Sequence, residues 1–187
     1  MNRGQLKLTI IVSIFILPFI ISYLMLDDYS PGKDYATTNY GDLIIPMVNI
    51  SDVNIIVDNK TLPNGKWLLL YYSNTKCDKE CFESIYLMRQ VNTALGKDMD
   101  RLKRIFLSNN LLSNSVKTNL LENYPDLLII KNKPNKIHVL IKEVSNNKNA
   151  VLLIDPLGNV ILRYDNNFDG KKLLKDIKKL FKLSRVG

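Results

Sequence analysis

One uncharged stretch near the N-terminus limits what this chain can fold into more than any other feature. Leu8–Leu26 contains no charged residue, and as a helix it would span roughly 28 Å, close to the roughly 30 Å hydrocarbon core of a bilayer. Pro18 lies inside this stretch, and a membrane-spanning helix tolerates it with a kink. The sequence therefore predicts a transmembrane anchor over residues 8–26.

The charges that flank the stretch predict its orientation. Arg3 and Lys7 precede it, and Asp27 and Asp28 follow it. Because positively charged flanks stay in the cytoplasm, we expect residues 1–7 to be cytoplasmic and the rest of the chain to lie across the membrane. This predicts a single-pass protein of the cytoplasmic (inner) membrane with its C-terminal domain in the periplasm. A cleaved signal peptide is the alternative, but no pair of small residues for cleavage follows the apolar core.

The composition fits one anchor and one globular domain. The chain has 187 residues, of which 46% are hydrophobic and 24% are charged, and its net charge is +8. The positive excess is concentrated in Lys171–Arg185, which indicates a local charged surface and not a nucleic-acid-binding protein. This end is predicted to be an amphipathic surface helix, and docking on anionic lipid is the alternative. The sequence contains no phosphate-binding loop, Ser-His-Asp set or zinc-spaced cluster, so no small-molecule substrate is evident.

The remaining sequence predicts one α/β domain behind a polar linker. Residues 27–41 predict the linker and residues 42–187 the extracytoplasmic domain. Leu43–Val48 and Val53–Val57 predict a short hairpin or an N-terminal extension. Further strands are predicted at Lys66–Tyr72, Arg104–Ser108, Leu127–Ile130, Ala150–Ile154 and Val160–Arg163. Helices are predicted from the cysteine motif to Leu95 and at Ser113–Tyr124, Lys136–Val144 and Phe168–Leu183.

The order of these elements indicates the fold class. Strands and helices alternate in the first half, which favours a parallel core. The turn Asp155–Asn159 joins the last two strands as an antiparallel hairpin. A mixed sheet flanked by helices, opened by a strand, a C-x-x-x-C motif and a helix, is the layout of a thioredoxin-like fold.

The two cysteines are the residues that predict chemistry. Cys77 and Cys81 are the whole cysteine inventory and lie at the junction between a strand and a helix. The positive end of a helix dipole favours the thiolate, which is both a nucleophile and a soft metal ligand. The pair is therefore a candidate catalytic thiol pair and a candidate ligand pair for Cu(I). A structural disulfide is the alternative, but it would close a small loop and stabilise the fold little.

A third metal ligand is harder to find in the sequence. His138 is the only histidine, it lies far from the motif, and it is more simply a surface residue or a satisfied one. Met88 follows Cys81 on the same predicted helix and is expected in the core. Met47 carries no further signal.

Two segments resemble the Sco family of cytochrome oxidase copper chaperones. They are Gly65–Cys81 (GKWLLLYYSNTKCDKEC) and Val151–Asp165 (VLLIDPLGNVILRYD). The chain is more similar still to small, uncharacterised proteobacterial membrane-anchored proteins associated with oxidase assembly, which share a stretch like Met88–Arg101. The resemblance implies an anchored thioredoxin-like domain that uses Cys77 and Cys81.

The chain departs from that family at one ligand. Sco proteins carry a copper-binding histidine just before the strand that leads to D-P, where this sequence has Asn147 or a neighbour. The cis-proline that thiol oxidoreductases carry in this region is also missing.

The resemblance implies a thiol protein that assists cytochrome c oxidase assembly. It would deliver Cu(I) or reduce the cysteines of a copper site, with an oxidase subunit or another assembly factor as its partner. Two alternatives stay open from the residues alone. One is a general periplasmic thiol-disulfide oxidoreductase, and the other is a non-catalytic thioredoxin-like interaction module.

Overall fold

The structure is a computed structural model of the chain and consists of two units. It describes residues 2–27, 38–51, 53, 55–57, 60–62, 65–130, 136–184 and 186. The chain divides after Thr38, so that the first unit is Met1–Thr38 and the second is Asn39–Gly187. Most of the predicted linker, residues 28–37, lies outside the described residues, as do the turn residues Asn59, Pro63 and Asn64.

The first unit contains the predicted apolar helix. Helix α1 covers Arg3–Asp27 and includes Pro18. Its segment Arg3–Met25 is long and apolar enough to cross a membrane, and none of its most apolar window is buried by other parts of the protein. These properties fit a membrane anchor, because a soluble core helix of this composition would be covered by protein.

The second unit is built on a six-stranded mixed sheet. The strands in the sheet are β1 (Asp42–Asn49), β4 (Trp67–Ser73), β5 (Leu102–Ser108), β6 (Leu127–Ile130), β7 (Ala150–Ile154) and β8 (Asn159–Asp165). Their spatial order is β1-β8-β7-β4-β5-β6. Strands β4, β5 and β6 are parallel, and the other pairs are antiparallel. The predicted fold class, a thioredoxin-like mixed sheet flanked by helices, is confirmed.

Helices cover both faces of this sheet. They are α2 (Lys79–Thr93), α3 (Asn114–Asn123), α4 (Lys136–Val144) and α5 (Gly170–Leu183), with a short 3-10 helix over Gly96–Arg101. Strand β4 is buried along its whole length, and its alternate residues enter two different cores. Leu69 and Tyr71 pack with α2 and α5, whereas Leu68 and Leu70 pack with α4 on the opposite face.

A hairpin and an N-terminal extension are the two alternatives predicted for the start of the domain, and the hairpin is wrong. β1 does not pair with the next strand but joins the sheet edge beside β8, with Leu43 opposite Leu162. The following strand, β2 (Ile55–Val57), forms a separate two-stranded sheet with β3 (Lys60–Leu62). The alternation of apolar residues predicts a strand, but it does not identify a partner more than a hundred residues away.

All the predicted helices are found, and two of their details are wrong. Leu120 is buried as expected, but Leu121, which was expected to face inward, is 54% exposed. The last helix begins at Gly170 and not at Phe168, because Asp169 is its N-cap and accepts a hydrogen bond from Lys171 N. Its buried face also contains Asp176, a carboxylate that the apolar pattern did not indicate.

Candidate functional site

The cysteine pair lies where β4 ends and α2 begins. The chain leaves the sheet at Ser73 and enters α2 through its N-cap Asp78, whose side chain accepts a hydrogen bond from Cys81 N at 3.2 Å. Cys77 and Cys81 form a disulfide with their α-carbons 5.1 Å apart. Cys77 thus lies just before the N-cap and Cys81 in the first turn of the helix, where free N–H groups and the helix dipole favour negative charge on sulfur.

The two sulfur-bearing residues differ in accessibility. Cys81 is fully buried in the core formed by α2, α5 and the sheet, together with Ile85 and Met88. Cys77 is only partly buried and packs at the edge of the same core. Cys77 is therefore the more accessible member of the pair.

An asparagine fixes the loop that leads to Cys77. The side-chain oxygen of Asn149 accepts a hydrogen bond from Asn74 N at 2.8 Å, and its side-chain nitrogen donates to Thr75 Oγ1 at 3.1 Å. The carbonyl of Asn147 accepts from Asn74 Nδ2 at 2.6 Å. Both ends of the Asn149 amide are thus used to position the loop.

The opposite side of this loop is held in the same way. Asn110 donates its side-chain N–H to Asn74 O at 3.0 Å, and the hydroxyl of Tyr72 donates to Asn74 Oδ1 at 3.2 Å. Sequence reasoning did not identify these residues. The one signal available for Asn149 was that it directly precedes the predicted strand Ala150–Ile154. The register that pairs Ala150 with Tyr72, and so brings Asn149 beside the end of β4, is a property of the fold.

A second polar cluster lies against the first turn of α2. Asn166 accepts hydrogen bonds from Tyr71 Oη at 2.9 Å and from Ser84 Oγ at 3.2 Å, and it donates to Glu80 Oε2 at 2.7 Å. Burial raises the pKa of Tyr71 to about 12, and the nearby carboxylates of Asp78 and Glu80 act in the same direction. Tyr71 is therefore a protonated hydrogen-bond donor at neutral pH.

The charges around the pair are balanced and exposed. Lys76, Asp78, Lys79 and Glu80 are all exposed, and Lys79 also forms an exposed ion pair with Glu83 at 3.7 Å. Exposed pairs of this kind contribute little energy. The helix terminus is therefore the main structural feature that would favour a thiolate here.

The other candidate ligands do not meet the cysteines. His138 is buried on α4 with Ile137 and Ile141, on the opposite face of the sheet from Cys81. Burial lowers the pKa of His138, which keeps it neutral. Met88 is a core residue, as predicted, and Met47 lies exposed on β1.

The described residues thus contain a disulfide-bonded cysteine pair and no preformed metal site. No group of three or more His, Cys, Asp or Glu side chains comes together among them. After reduction, Cys77 and Cys81 would offer two soft sulfur donors, which is the ligand type that suits Cu(I). The nitrogen ligand that Cu(II) prefers is not provided by Asn149, whose amide is committed to the loop.

Comparisons with solved structures show the same fold. Copper-bound ScoI of Arabidopsis thaliana is 17% identical with a TM-score of 0.51, over 64% of this chain and 86% of that one. Copper-bound yeast Sco1 is 16% identical with a TM-score of 0.50, over 63% of this chain and 77% of that one. Copper-bound ScoI of Bradyrhizobium japonicum is 21% identical with a TM-score of 0.48, over 62% and 85%.

The sequence comparisons give the family. No protein of curated function matches the chain. A family model described as "Transmembrane-like, thioredoxin-like, C-terminal domain" matches residues 67–184, which include both cysteines and all the helices of the second unit. Because this match covers more than half of the chain, the protein belongs to that family of transmembrane-like, thioredoxin-like C-terminal domains.

Proposed function

We propose that this protein is a membrane-tethered thiol protein that assists cytochrome c oxidase assembly by reducing the cysteines of a copper site on its partner. The observation that carries the proposal is the asymmetric pair at the start of α2, with Cys77 partly exposed and Cys81 buried behind it. The choice of an oxidase partner rests on the resemblance of Gly65–Cys81 and Val151–Asp165 to the Sco family of cytochrome oxidase copper chaperones. The partner would be an oxidase subunit or another assembly factor.

The proposed reaction is a two-step thiol–disulfide exchange. The thiolate of reduced Cys77 attacks one sulfur of the partner disulfide, forming a mixed disulfide and releasing the other partner sulfur as a thiolate. The Cys81 thiolate then attacks the Cys77 sulfur and forms the Cys77–Cys81 disulfide, and the second partner sulfur leaves. Two electrons pass to the partner, which gains two thiols, and a dithiol reductant must reduce this chain again.

The membrane topology belongs to the same proposal. Helix α1 anchors the chain in the cytoplasmic (inner) membrane, residues 1–7 are cytoplasmic and the domain acts in the periplasm. The domain boundaries proposed from the sequence are an anchor over 8–26, a linker over 27–41 and the thioredoxin-like domain from residue 42. The periplasm is oxidising, so copper-site cysteines there would form disulfides that a membrane-tethered reductant could reduce.

Delivery of Cu(I) is the second candidate function. It is favoured by the closeness of the two cysteines, whose α-carbons are 5.1 Å apart, so that both reduced sulfurs can bind one ion. Two thiolates suffice for Cu(I) as cargo. The family histidine is missing where Asn147 and Asn149 hold the loop, but the cis-proline of thiol oxidoreductases is missing as well. The preference for reduction therefore rests on the asymmetry of the pair, with Cys77 partly exposed and Cys81 buried.

Trapping of the mixed disulfide tests the reductase proposal. Cys81→Ser leaves Cys77 without its resolving partner, so the full chain should accumulate as a disulfide-linked adduct with a protein that carries copper-site cysteines. Cys77→Ser is the matched control and should trap nothing, because Cys81 is buried. Equal trapping by both variants, or by neither, would reject the proposed exchange.

A competition titration separates the two candidates. The reduced full chain in detergent is titrated anaerobically with Cu(I) against a chelator, with Cys77→Ser and Cys81→Ser as controls. Tight one-to-one binding that both variants lose would support delivery. In cells, replacing both cysteines by serine should lower the copper content of the oxidase, and unchanged copper and activity would reject a role in oxidase assembly by either route.

A further inference from the structure

Helix α5 presents a face made entirely of lysine side chains. The six lysines of this helix are all exposed: Lys171, Lys172, Lys175, Lys178, Lys179 and Lys182. At about 100° per residue, they fall within an arc of about 120° around the helix axis. We refer to these six residues as the lysine face.

The lysine face is not balanced by acidic residues of its own helix. Asp176 is the only acidic residue in α5, and it is 3% exposed on the side that packs on the sheet. That buried side also contains Leu173, Ile177 and Phe181. The helix is therefore strongly amphipathic: its apolar side packs in the core and its cationic side is exposed.

The chain that comes from α1 joins the domain at this same helix. The backbone N–H groups of Tyr40 and Gly41 donate to Asp176 Oδ2 at 2.9 and 3.1 Å. The ring of Tyr40 lies under two members of the lysine face, 5.7 Å from Lys172 Nζ and 5.6 Å from Lys175 Nζ. The point at which the tether meets the domain is thus bordered by the lysine face.

The tether keeps this point within reach of the bilayer surface. About twelve residues separate the end of α1 at Asp27 from Tyr40, and even fully extended they reach at most about 43 Å. We propose that the lysine face of α5 docks on the anionic phospholipid headgroups of the bilayer that holds α1. This inference rests on the anchor part of the proposed function and is independent of the cysteine chemistry.

Lipid is the occupant that these observations favour. A row of six exposed ammonium groups along one helix face matches a surface of many phosphates, whereas a protein partner would be expected to offer a shaped site with fixed carboxylates. Juxtamembrane lysine clusters are attracted to anionic membranes, and the attraction is screened by salt. Docking would hold the domain in one orientation and would keep the cysteine pair at a defined height above the membrane.

The protein contains an intrinsic probe for this contact. Trp67 is the only tryptophan, and its ring lies 5.5 Å from that of Phe181, on the buried side of α5. Energy transfer from Trp67 to a dansyl-labelled lipid therefore reports how near α5 is to the bilayer surface.

The test uses the full chain in nanodiscs of phosphatidylcholine alone or with phosphatidylglycerol, each with a trace of dansyl lipid. We expect energy transfer to be higher in the anionic discs and to fall to the neutral-disc value in high salt. Replacing Lys171, Lys178 and Lys182 by glutamine should lower the ratio of docked to undocked molecules roughly a hundredfold. A control with Lys117, Lys136 and Lys142, exposed on α3 and α4, replaced by glutamine loses the same charge and should behave as the wild type.

Three results would overturn the inference. Equal transfer in neutral and anionic discs would mean that the domain does not recognise lipid charge. Equal loss in both triple variants would mean that net charge acts and not the lysine face. Transfer that is unchanged when Lys171, Lys178 and Lys182 are replaced would leave that face to a protein partner. Failure of the chain to remain with the discs would overturn the anchor itself, and this is measured separately by co-purification.

Discussion

Asn166 shows how a single side chain can support the cysteine helix from another part of the chain. It follows the end of β8, yet its amide joins three groups: the Tyr71 hydroxyl from the sheet, and Ser84 and Glu80 from α2. Tyr71 is fully buried, so its hydroxyl depends on this acceptor. The amide therefore fixes the first turns of α2 relative to the sheet.

Replacing this amide should destabilise the domain measurably. Asn166→Ala leaves the buried Tyr71 hydroxyl without its acceptor, and we expect a loss of about 1–3 kcal/mol in the free energy of unfolding, measured in urea. Asn167→Ala is the matched control, because its side chain is exposed, and it should change stability by less than about 0.5 kcal/mol. Equal effects of the two substitutions would contradict the role of Asn166.

The buried tyrosines predict a loss of stability at high pH. The pKa of Tyr71 is raised to about 12 in the folded chain, mainly by burial, against about 10 in the unfolded chain. The stabilising contribution is therefore complete below pH 10 and is lost as the pH rises towards 12, with a slope of up to about 1.4 kcal/mol per pH unit.

The corresponding variant changes this slope. Tyr71→Phe should make the decline between pH 10 and 12 shallower, because one group that titrates only on unfolding has been removed. Tyr86→Phe, at a site that is 51% exposed, should keep the wild-type slope. Unfolding curves over this pH range provide the measurement, and parallel declines for wild type and Tyr71→Phe would exclude the assignment.

At the scale of elements, local patterns predict the elements better than their partners. The continuous apolar run of β4 indicates a strand buried on both faces, and the Asp155–Asn159 turn indicates the β7–β8 hairpin; both are found. The pairing of β1 with β8 could not be predicted, because either neighbour would satisfy the same alternation of side chains. The real partner is chosen by the free edge of β8 and by contacts such as Ile50 N to Gly158 O at 2.8 Å.

Asp176 was missed for a related reason. A lysine-rich amphipathic helix predicts its single carboxylate on the charged side, and only the tertiary structure supplies the donors that make burial favourable. Those donors are the N–H groups of Tyr40 and Gly41 and the hydroxyl of Tyr164, which lies 2.7 Å from Asp176 Oδ2. The carboxylate thus attaches the start of the domain to its last helix.

Removing this carboxylate should loosen that attachment. Asp176→Ala leaves three donors without their acceptor, and we expect a loss of about 3 kcal/mol together with faster chymotrypsin cleavage after Tyr40. Asp176→Asn retains one carbonyl oxygen and should have a smaller effect on both readouts. Asp100→Ala, at an exposed position, is the control, and cleavage no faster in Asp176→Ala than in it would refute the attachment.

At the scale of the whole molecule, the sequence predicts the presence of the cysteine site but not its surroundings. The C-x-x-x-C spacing between a strand and a helix is enough to locate the pair, because strand ends and helix starts are local features. The loop is fixed by hydrogen bonds among Asn74, Asn110 and Asn149, and only the sheet topology brings these three residues together. The separation of His138 from the cysteines is likewise a property of the fold, since α4 packs on the opposite face.

Reduction of the disulfide offers a test of how the whole fold depends on this site. The bridge spans a sequence separation of only 4, so its chain-entropy contribution to stability is about 2 kcal/mol. Cys81 is buried in a core that the remaining side chains of β4, α2 and α5 also form, and a thiol packs there as a small apolar group. The reduced protein should therefore remain folded, with unfolding in urea shifted by about 2 kcal/mol or less.

Cysteine variants test whether the change in stability on reduction comes from loss of the disulfide alone. Cys77→Ala with Cys81→Ala should match the reduced wild type in stability and should no longer respond to reductant. Cys81→Ser should be less stable than Cys77→Ser under reducing conditions by about 1–3 kcal/mol, because only the first places a hydroxyl in the core. A domain that survives in both redox states can cycle between them, as exchange with a partner requires. If reduction unfolds the domain, the pair is a structural bridge, and both the reductase and the copper-delivery proposals fall together.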